Sequence, residues 1–134
     1  MIAHEACVDE IERLHSFFVS WYAGELEESA FDQFEDALAS EFEMITPDGD
    51  VMTRQTVIDA IAAARGSTAS SAFQIDIRNV EVKYRFENHA LVQYEEWQET
   101  DEDVTGRIST VVLTEMQSTP DGLGWSYVHE TYLE

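Results

Sequence analysis

The first half of the chain has the hydrophobic spacing of amphipathic helices. Over residues 5–26, apolar side chains recur every three or four positions and polar ones fill the opposite side, which predicts one long helix. A second helix is predicted over Ala30–Ala39, with Ser29 as its N-cap and Asp32 three residues later in a capping-box arrangement. A third helix is predicted to follow the N-cap Thr53.

The second half loses the helical period and has the composition of β-strands. Runs of β-branched and aromatic residues alternate with turn-forming segments, a pattern typical of antiparallel strands. A short hairpin before the third helix is predicted to turn at residues 47–50, a Pro-Asp-Gly-Asp sequence. The predicted long strands are Phe73–Phe86, Ala90–Thr100, Arg107–Gln117 and Trp125–Leu133.

This order of elements predicts an α+β fold, with three N-terminal helices packed on a curved antiparallel sheet. The 134 residues suit a single domain spanning 1–134, because a chain of this length can bury one core. The last two strands carry apolar residues at both odd and even positions. Since side chains alternate between the two faces of a strand, the helices can cover one face, and the other face needs a second cover.

The charge balance disfavours several classes of partner. The chain has 28 acidic and 7 basic residues and a net charge of −21, so its field repels nucleic acid and anionic membrane surfaces. No apolar run approaches the roughly 20 residues of a membrane helix, and the first residues lack the basic and apolar regions of a secretory signal. The lone Cys7 is typical of a reducing compartment. We therefore expect a cytoplasmic protein without a nucleic-acid or membrane partner.

The last strand carries the most specific motif of the chain. Residues 124–130, with the sequence GWSYVHE, are similar to a terminal GW-x-x-VH pattern in the nuclear-transport-factor-2-like superfamily. That pattern occurs in uncharacterised members and in the association domain of calcium/calmodulin-dependent kinase II; the superfamily also includes ketosteroid isomerase, scytalone dehydratase and SnoaL-type cyclases. The chain resembles this superfamily over nearly its whole length. The resemblance implies a cystatin-like, cone-shaped domain with a pocket, and often a homodimer formed through the sheet.

Two departures separate the chain from characterised members of the superfamily. Isomerase-like members carry a general-base aspartate just before the hairpin proline, where this chain has Thr46. Kinase association domains place arginines inside the cone, at positions that match Glu96, Val111 and Tyr132 here. Because the superfold hosts many functions, the resemblance predicts the fold and leaves the activity open.

The resemblance implies that the pocket is lined by the sheet face that also points Glu96 and Glu130 inward. A carboxylate within apolar walls has a raised pKa, and two close together raise one of them further. Such a group suits proton abstraction beside a carbonyl, with Tyr94 or Tyr132 donating to the developing oxyanion. The predicted catalytic residues are Glu96 and Glu130, and the predicted pocket residues are His15, Phe18, Tyr22, Tyr94, Val111 and Tyr132.

Each of these residues has a structural alternative. Glu96 can lie in water at the end of the sheet, and the tyrosines can be ordinary core residues. Glu130 can pair with Arg107 or Arg78. His15 by itself is more typical of a core histidine with satisfied hydrogen bonds than of a catalyst.

The opposite sheet face is predicted to meet a second copy of the chain. An exposed apolar sheet face of this size is unusual for a monomer, and sheet-to-sheet homodimerisation would cover it. If this face lined the pocket instead, His129 and Glu95 would be the pocket pair. The predicted interface residues are Trp97, Trp125, Tyr127 and His129.

No metal or cofactor site is predicted. The four histidines are scattered, without a helical His-x-x-x-His or a cysteine pair, and there is no glycine-rich phosphate loop. The leading hypothesis is a protein that binds a small ligand of apolar or mixed polarity in a pocket, with cofactor-free lyase or isomerase chemistry as its catalytic form. The alternative is a non-catalytic dimerisation or ligand-sensing module built on the same cone.

Overall fold

Three α-helices lie in the first half of the chain. The computed structural model describes residues 2–69 and 72–133. The first helix ends earlier than the predicted range, because Gly24 adopts a φ of +76° and turns the chain out of the helix. The helices are α1, His4–Tyr22; α2, Phe31–Ala37; and α3, Arg54–Ala63.

The two predicted helix caps have opposite outcomes. The Thr53 hydroxyl accepts a hydrogen bond from the backbone N–H of Thr56 at 3.2 Å, which confirms Thr53 as the N-cap of α3. Ser29 instead lies in a 3₁₀ turn, Glu28–Ala30, and α2 starts without a side-chain cap. The prediction for Ser29 is wrong because the chain enters α2 directly from this turn, with Ala30 already in a helical conformation.

Six strands form one sheet in the order β2-β1-β6-β5-β4-β3. Neighbouring strands are antiparallel, except that β1 runs parallel to β6. This contact joins the early hairpin to the last strand, which no local pattern in the sequence predicts. The strands are β1, Leu38–Ile45; β2, Val51–Thr53; β3, Phe73–Phe86; β4, His89–Thr100; β5, Val104–Glu115; and β6, Leu123–Tyr132.

A bulge in β6 changes which way its first half faces. Val112 pairs with Tyr127 and Leu113 pairs with Trp125, so Ser126 is an extra residue opposite β5. The bulge shifts the alternation by one position, and Trp125 therefore shares the inner face with Val128. The prediction that Trp125 faces a partner subunit is wrong, because it assumed unbroken period-two alternation along β6.

All three helices cover the inner face of the sheet. Side chains of α1 contact β4 and β6, and residues of α2 and α3 line a cavity against the same sheet face. The outer face has a row of apolar residues running across four strands, in which Tyr84, Leu91, Val112 and Tyr127 pair in sequence. Within the described ranges, none of the helices is long and apolar enough to cross a membrane.

Candidate ligand cavity and its buried acid–base groups

The helices and the inner sheet face enclose a cavity of about 150 Å³. The sheet contributes polar residues to it in two adjacent cross-strand rows. Tyr94 pairs with Ser109 and Ser109 with Glu130, while Glu96 pairs with Arg107 in the next row. The remaining wall is mostly apolar and aromatic, and includes Leu14, Phe18, Phe34, Leu38, Phe42, Met44, Val57, Ile61, Trp125 and Val128.

His15 and Glu96 form a buried pair between α1 and β4. The imidazole Nε2 lies 3.1 Å from Glu96 Oε1, and Nδ1 lies 2.7 Å from the Ile11 carbonyl oxygen. Both side chains are about 95% buried, with exposed fractions of 5%. Because a carbonyl can only accept, Nδ1 carries a proton and Nε2 is the nitrogen that faces the carboxylate.

The pair is an imidazolium and a carboxylate. Burial alone would lower the pKa of His15, but the charge and hydrogen bond of Glu96 and the Ile11 carbonyl raise it above its usual value. Burial alone would raise the pKa of Glu96, but His15, Gln98 and Arg107 together lower it to about 2. Nε2–H therefore donates to a Glu96 that stays ionised near neutral pH.

The pKa of Glu130 is shifted in the opposite direction from that of Glu96. Burial and the neighbouring Glu96 charge raise the pKa of Glu130, and the Arg107 charge offsets only part of this. Arg107 Nη1 donates to Glu130 Oε1 at 3.2 Å, and the Ser109 hydroxyl donates to Oε2 at 3.2 Å. Two nearby carboxyl groups thus have pKa values pushed apart, which is how acid and base roles are separated in enzyme sites.

Two tyrosines add hydroxyl groups to the cavity wall. Tyr94 is buried beside Ser109, and burial together with the Glu96 and Glu130 charges raises its pKa. The same causes raise the pKa of Tyr22. Both phenols therefore remain protonated near neutral pH and are available as hydrogen-bond donors.

The structure does not place every predicted site residue in the cavity wall. Glu96, Glu130, His15, Phe18, Tyr22 and Tyr94 line the cavity. Val111 is fully buried in the core behind the wall. Tyr132, predicted as a pocket residue, is 48% exposed and lies against Arg107, with its ring centroid 5.3 Å from the guanidinium. This prediction fails because parity fixes the direction of a side chain but not its distance from the open end of the sheet.

The predicted interface residues also have different outcomes. Trp97 and Tyr127 are half-buried on the outer face, and His129 is exposed there. The indole N–H of Trp97 donates to Glu95 Oε1 at 2.9 Å. Trp125 is buried and lines the cavity. Glu95 and His129 therefore do not form a pocket pair, since both lie on the face away from the helices.

Sequence reasoning missed two polar groups of this site. The Ser109 hydroxyl donates a hydrogen bond to Glu130, and Glu10 accepts a 2.8 Å hydrogen bond from the indole N–H of Trp125. Glu10 lies outside the apolar face predicted for the first helix, so periodicity assigns it to solvent. The one available signal was Arg13 three residues later, which forms a helical ion pair with Glu10.

Comparison with known proteins identifies relatives over nearly the whole chain. A family model described as sucrose-6-phosphate phosphohydrolase C-terminal matches residues 7–134. Sucrose-phosphatase 2 of Nicotiana tabacum is 26% identical over 127 residues, and sucrose-phosphatase 1 of the same plant is 25% identical over 128. The matches cover 92% and 93% of this chain but 30% of each relative, so the chain spans about a third of their length.

Similar solved structures share the fold. A nuclear-transport-factor-2-like protein of unknown function from Pseudomonas aeruginosa is 26% identical, with a TM-score of 0.86 over 96% of this chain and 99% of that chain. The calcium/calmodulin-dependent kinase II hub of S. rosetta is 13% identical, with a TM-score of 0.74 over 96% and 95%. An uncharacterised cystatin-like protein from Caulobacter vibrioides is 15% identical, with a TM-score of 0.65 over 95% and 89%. The chain therefore belongs to the sucrose-6-phosphate phosphohydrolase C-terminal family and has a nuclear-transport-factor-2-like fold.

Proposed function

We propose that this chain is a single ligand-binding domain, residues 1–134, whose cavity takes a small apolar molecule with one polar group and transfers a proton to or from it. The catalytic form of this function is a cofactor-free isomerase or lyase. The observation that carries the proposal is the separation of the two buried carboxyl groups, with Glu96 held ionised by His15 and Glu130 shifted upwards. Glu130 is the proton-transfer group, and Glu96 keeps the imidazolium in place.

In the proposed step, a proton is removed from the ligand and then returned to it. The Glu130 carboxylate takes a proton from the carbon beside a ligand carbonyl, and the electron pair left behind forms an enolate. Tyr94 and Arg107, which both line the cavity, are the proposed stabilisers of the enolate oxygen. The protonated Glu130 then returns the proton to a carbon of the ligand, so no oxidant, metal or cofactor enters the step.

Size and charge limit the ligand class. An apolar cavity of about 150 Å³ holds a molecule of roughly benzene size, and this one is about that large. Sucrose phosphate, suggested by the names of the two plant relatives, has two rings and an anionic group. The chain's net charge of −21 disfavours the anion. We therefore assign the cavity to uncharged ligands of single-ring size.

Hydrogen exchange of cyclohexanone in D₂O tests the proposal. We expect the protein to accelerate deuterium incorporation beside the carbonyl, followed by NMR, and Glu130→Gln to slow it by about 10²–10⁴-fold. The rate should fall as the pH drops through the raised pKa of Glu130. Glu99→Gln, an exposed change on β4, is the matched control and should exchange at the wild-type rate.

Binding and catalysis are separated by a second measurement. Ligand-observed NMR with cyclohexanone reports binding independently of exchange. Binding without accelerated exchange would leave a non-catalytic ligand-sensing domain and refute the proton-transfer role of Glu130. Absence of both would refute the cavity as a ligand site.

The outer sheet face supports a second candidate function, assembly with a second copy of the chain. The apolar row of Tyr84, Leu91, Val112 and Tyr127 crosses four strands, and Tyr84 is 71% exposed. One of the structural neighbours is a kinase hub. In this proposal Trp97, Tyr127 and His129 lie in the interface.

Light scattering of the purified chain tests this assembly. We expect a dimer, and Tyr127→Lys should shift it to a monomer because a charge in the apolar row would be desolvated on pairing. Thr105→Lys, on an exposed part of β5, should leave the dimer intact. A wild-type monomer at high micromolar concentration would refute the interface.

A further inference from the structure

Trp125 forms one wall of the cavity and is oriented by contacts from two sides. Its side chain is 1% exposed and lines the cavity. Its ring meets the His15 ring edge-on, with centroids 6.3 Å apart. Trp125 thus contacts the His15 ring on one side and forms part of the cavity wall on the other.

A fully buried carboxylate holds the indole. Glu10 is 0% exposed and its Oε2 accepts the Trp125 indole N–H at 2.8 Å. Arg13 binds both oxygens of the same carboxylate, at 2.8–3.1 Å. Arg13 Nε also lies 3.5 Å from Asp121 Oδ2 in the turn that precedes β6. The indole therefore has a charge-assisted hydrogen bond to a carboxylate that is itself fixed.

The backbone beside Trp125 is closely packed. A Cβ on Gly124 would meet the end of the Met116 side chain and would lie 3.1 Å from the Ala37 carbonyl oxygen, so a larger residue there would require these neighbours to shift. The extra residue at Ser126 then turns Trp125 inward. The close packing at Gly124 and the bulge at Ser126 together direct the Trp125 side chain into the cavity.

We propose that Trp125, positioned by Glu10, is the specificity-determining residue that limits the cavity to ligands with a single ring. This inference rests on the proposed ligand-binding function. Other large residues of the wall, such as Phe18 and Phe34, stack against further aromatic rings of the helices. The Trp125 side chain is instead held by a polar contact to Glu10, and shortening it would enlarge the cavity directly beside His15.

Competition between a one-ring and a two-ring ketone tests the inference. Cyclohexanone and 2-decalone share the carbonyl group and differ by one fused ring. We expect wild-type protein to bind cyclohexanone at least about tenfold more tightly, as measured by NMR titration. Trp125→Phe should reduce or reverse this preference by improving the affinity for 2-decalone.

Trp21→Phe is the matched control. Trp21 is also buried, and its indole N–H donates to the Ile61 carbonyl at 2.7 Å, but it is not among the described residues that line the cavity. It should lose stability without changing the preference between the two ketones. Equal preferences in wild type and Trp125→Phe would overturn the inference while leaving the proposed function intact. Failure of wild type to bind either ketone would instead count against the proposed function.

A measurement on the unmodified protein covers the case in which Trp125→Phe does not fold. Bound cyclohexanone should show nuclear Overhauser contacts to the Trp125 ring protons and none to those of Trp21. Glu10→Gln, whose amide oxygen still accepts the indole N–H, should retain these contacts and the single-ring preference. Bound ligand without contacts to Trp125 would overturn the inference.

Discussion

Replacing Glu96 by Gln should reverse the way in which His15 affects stability with pH. In the wild type, His15 has a raised pKa, so the imidazolium stabilises the folded protein below about pH 6.5, and this contribution is lost as the pH rises through the folded pKa. Without the Glu96 charge, burial dominates and lowers the pKa of His15. The variant should then lose stability as the pH falls below about 6.5.

The magnitude follows from the Glu96 side of the pair. The pKa of Glu96 moves from 4.5 to about 2, and each unit corresponds to about 1.4 kcal/mol. This net shift combines burial with His15, Gln98 and Arg107, so removing the Glu96 charge should cost on the order of 3 kcal/mol at about pH 5.5, where Glu96 and His15 are both charged. That agrees with the usual cost of breaking a buried ion pair. At a pH above the raised folded pKa of His15, as located by the NMR titration, the imidazole is neutral and the loss should be clearly smaller.

Urea unfolding followed by circular dichroism at both pH values measures this difference. Glu99→Gln, on the same strand but exposed, should change stability by less than about 0.5 kcal/mol at either pH. An NMR titration should place the pKa of His15 above 6.5 in the wild type and below it in Glu96→Gln. Equal destabilisation at both pH values, or an unchanged His15 titration, would refute the ion pair.

Substitutions at two positions and one labelling experiment test other parts of the structure. Gly124→Ala should destabilise the protein by about 1–3 kcal/mol in urea unfolding, because its Cβ would lie 3.1 Å from the Ala37 carbonyl oxygen and would displace the Met116 side chain; unchanged stability would contradict this close packing. Thr53→Ala should cost about 1 kcal/mol through the lost cap on Thr56, whereas Thr53→Ser should retain most of it. Cys7 is fully buried and burial raises its pKa, so a thiol reagent should label it only in denaturant; rapid labelling of the folded protein would contradict this placement.

Much of the fold could be predicted because it depends on local patterns. The β3 range Phe73–Phe86 follows from β-branched and aromatic runs bounded by turn residues. Thr53 was predictable as an N-cap because a hydroxyl just before a helix commonly accepts a hydrogen bond from a backbone N–H of the first turn. Strand parity placed the residues of each strand on one face or the other, and the family resemblance indicated that the face of Glu96 and Glu130 is the inner one.

Only the tertiary structure decided what these side chains do. A single extra residue, Ser126, moves Trp125 from the outer face to the cavity, and a bulge depends on strand pairing that local composition does not encode. Glu10 is an acidic residue outside the predicted apolar face of its helix, yet it is buried. Trp125 on a distant strand and Arg13 on the same helix satisfy its oxygens. The sequence by itself determined most of the helical and extended segments, although Leu38 and Ala39, predicted at the end of the second helix, lie in β1. Long-range pairing determined which charges meet, because burial and pKa depend on neighbours that are far apart along the chain.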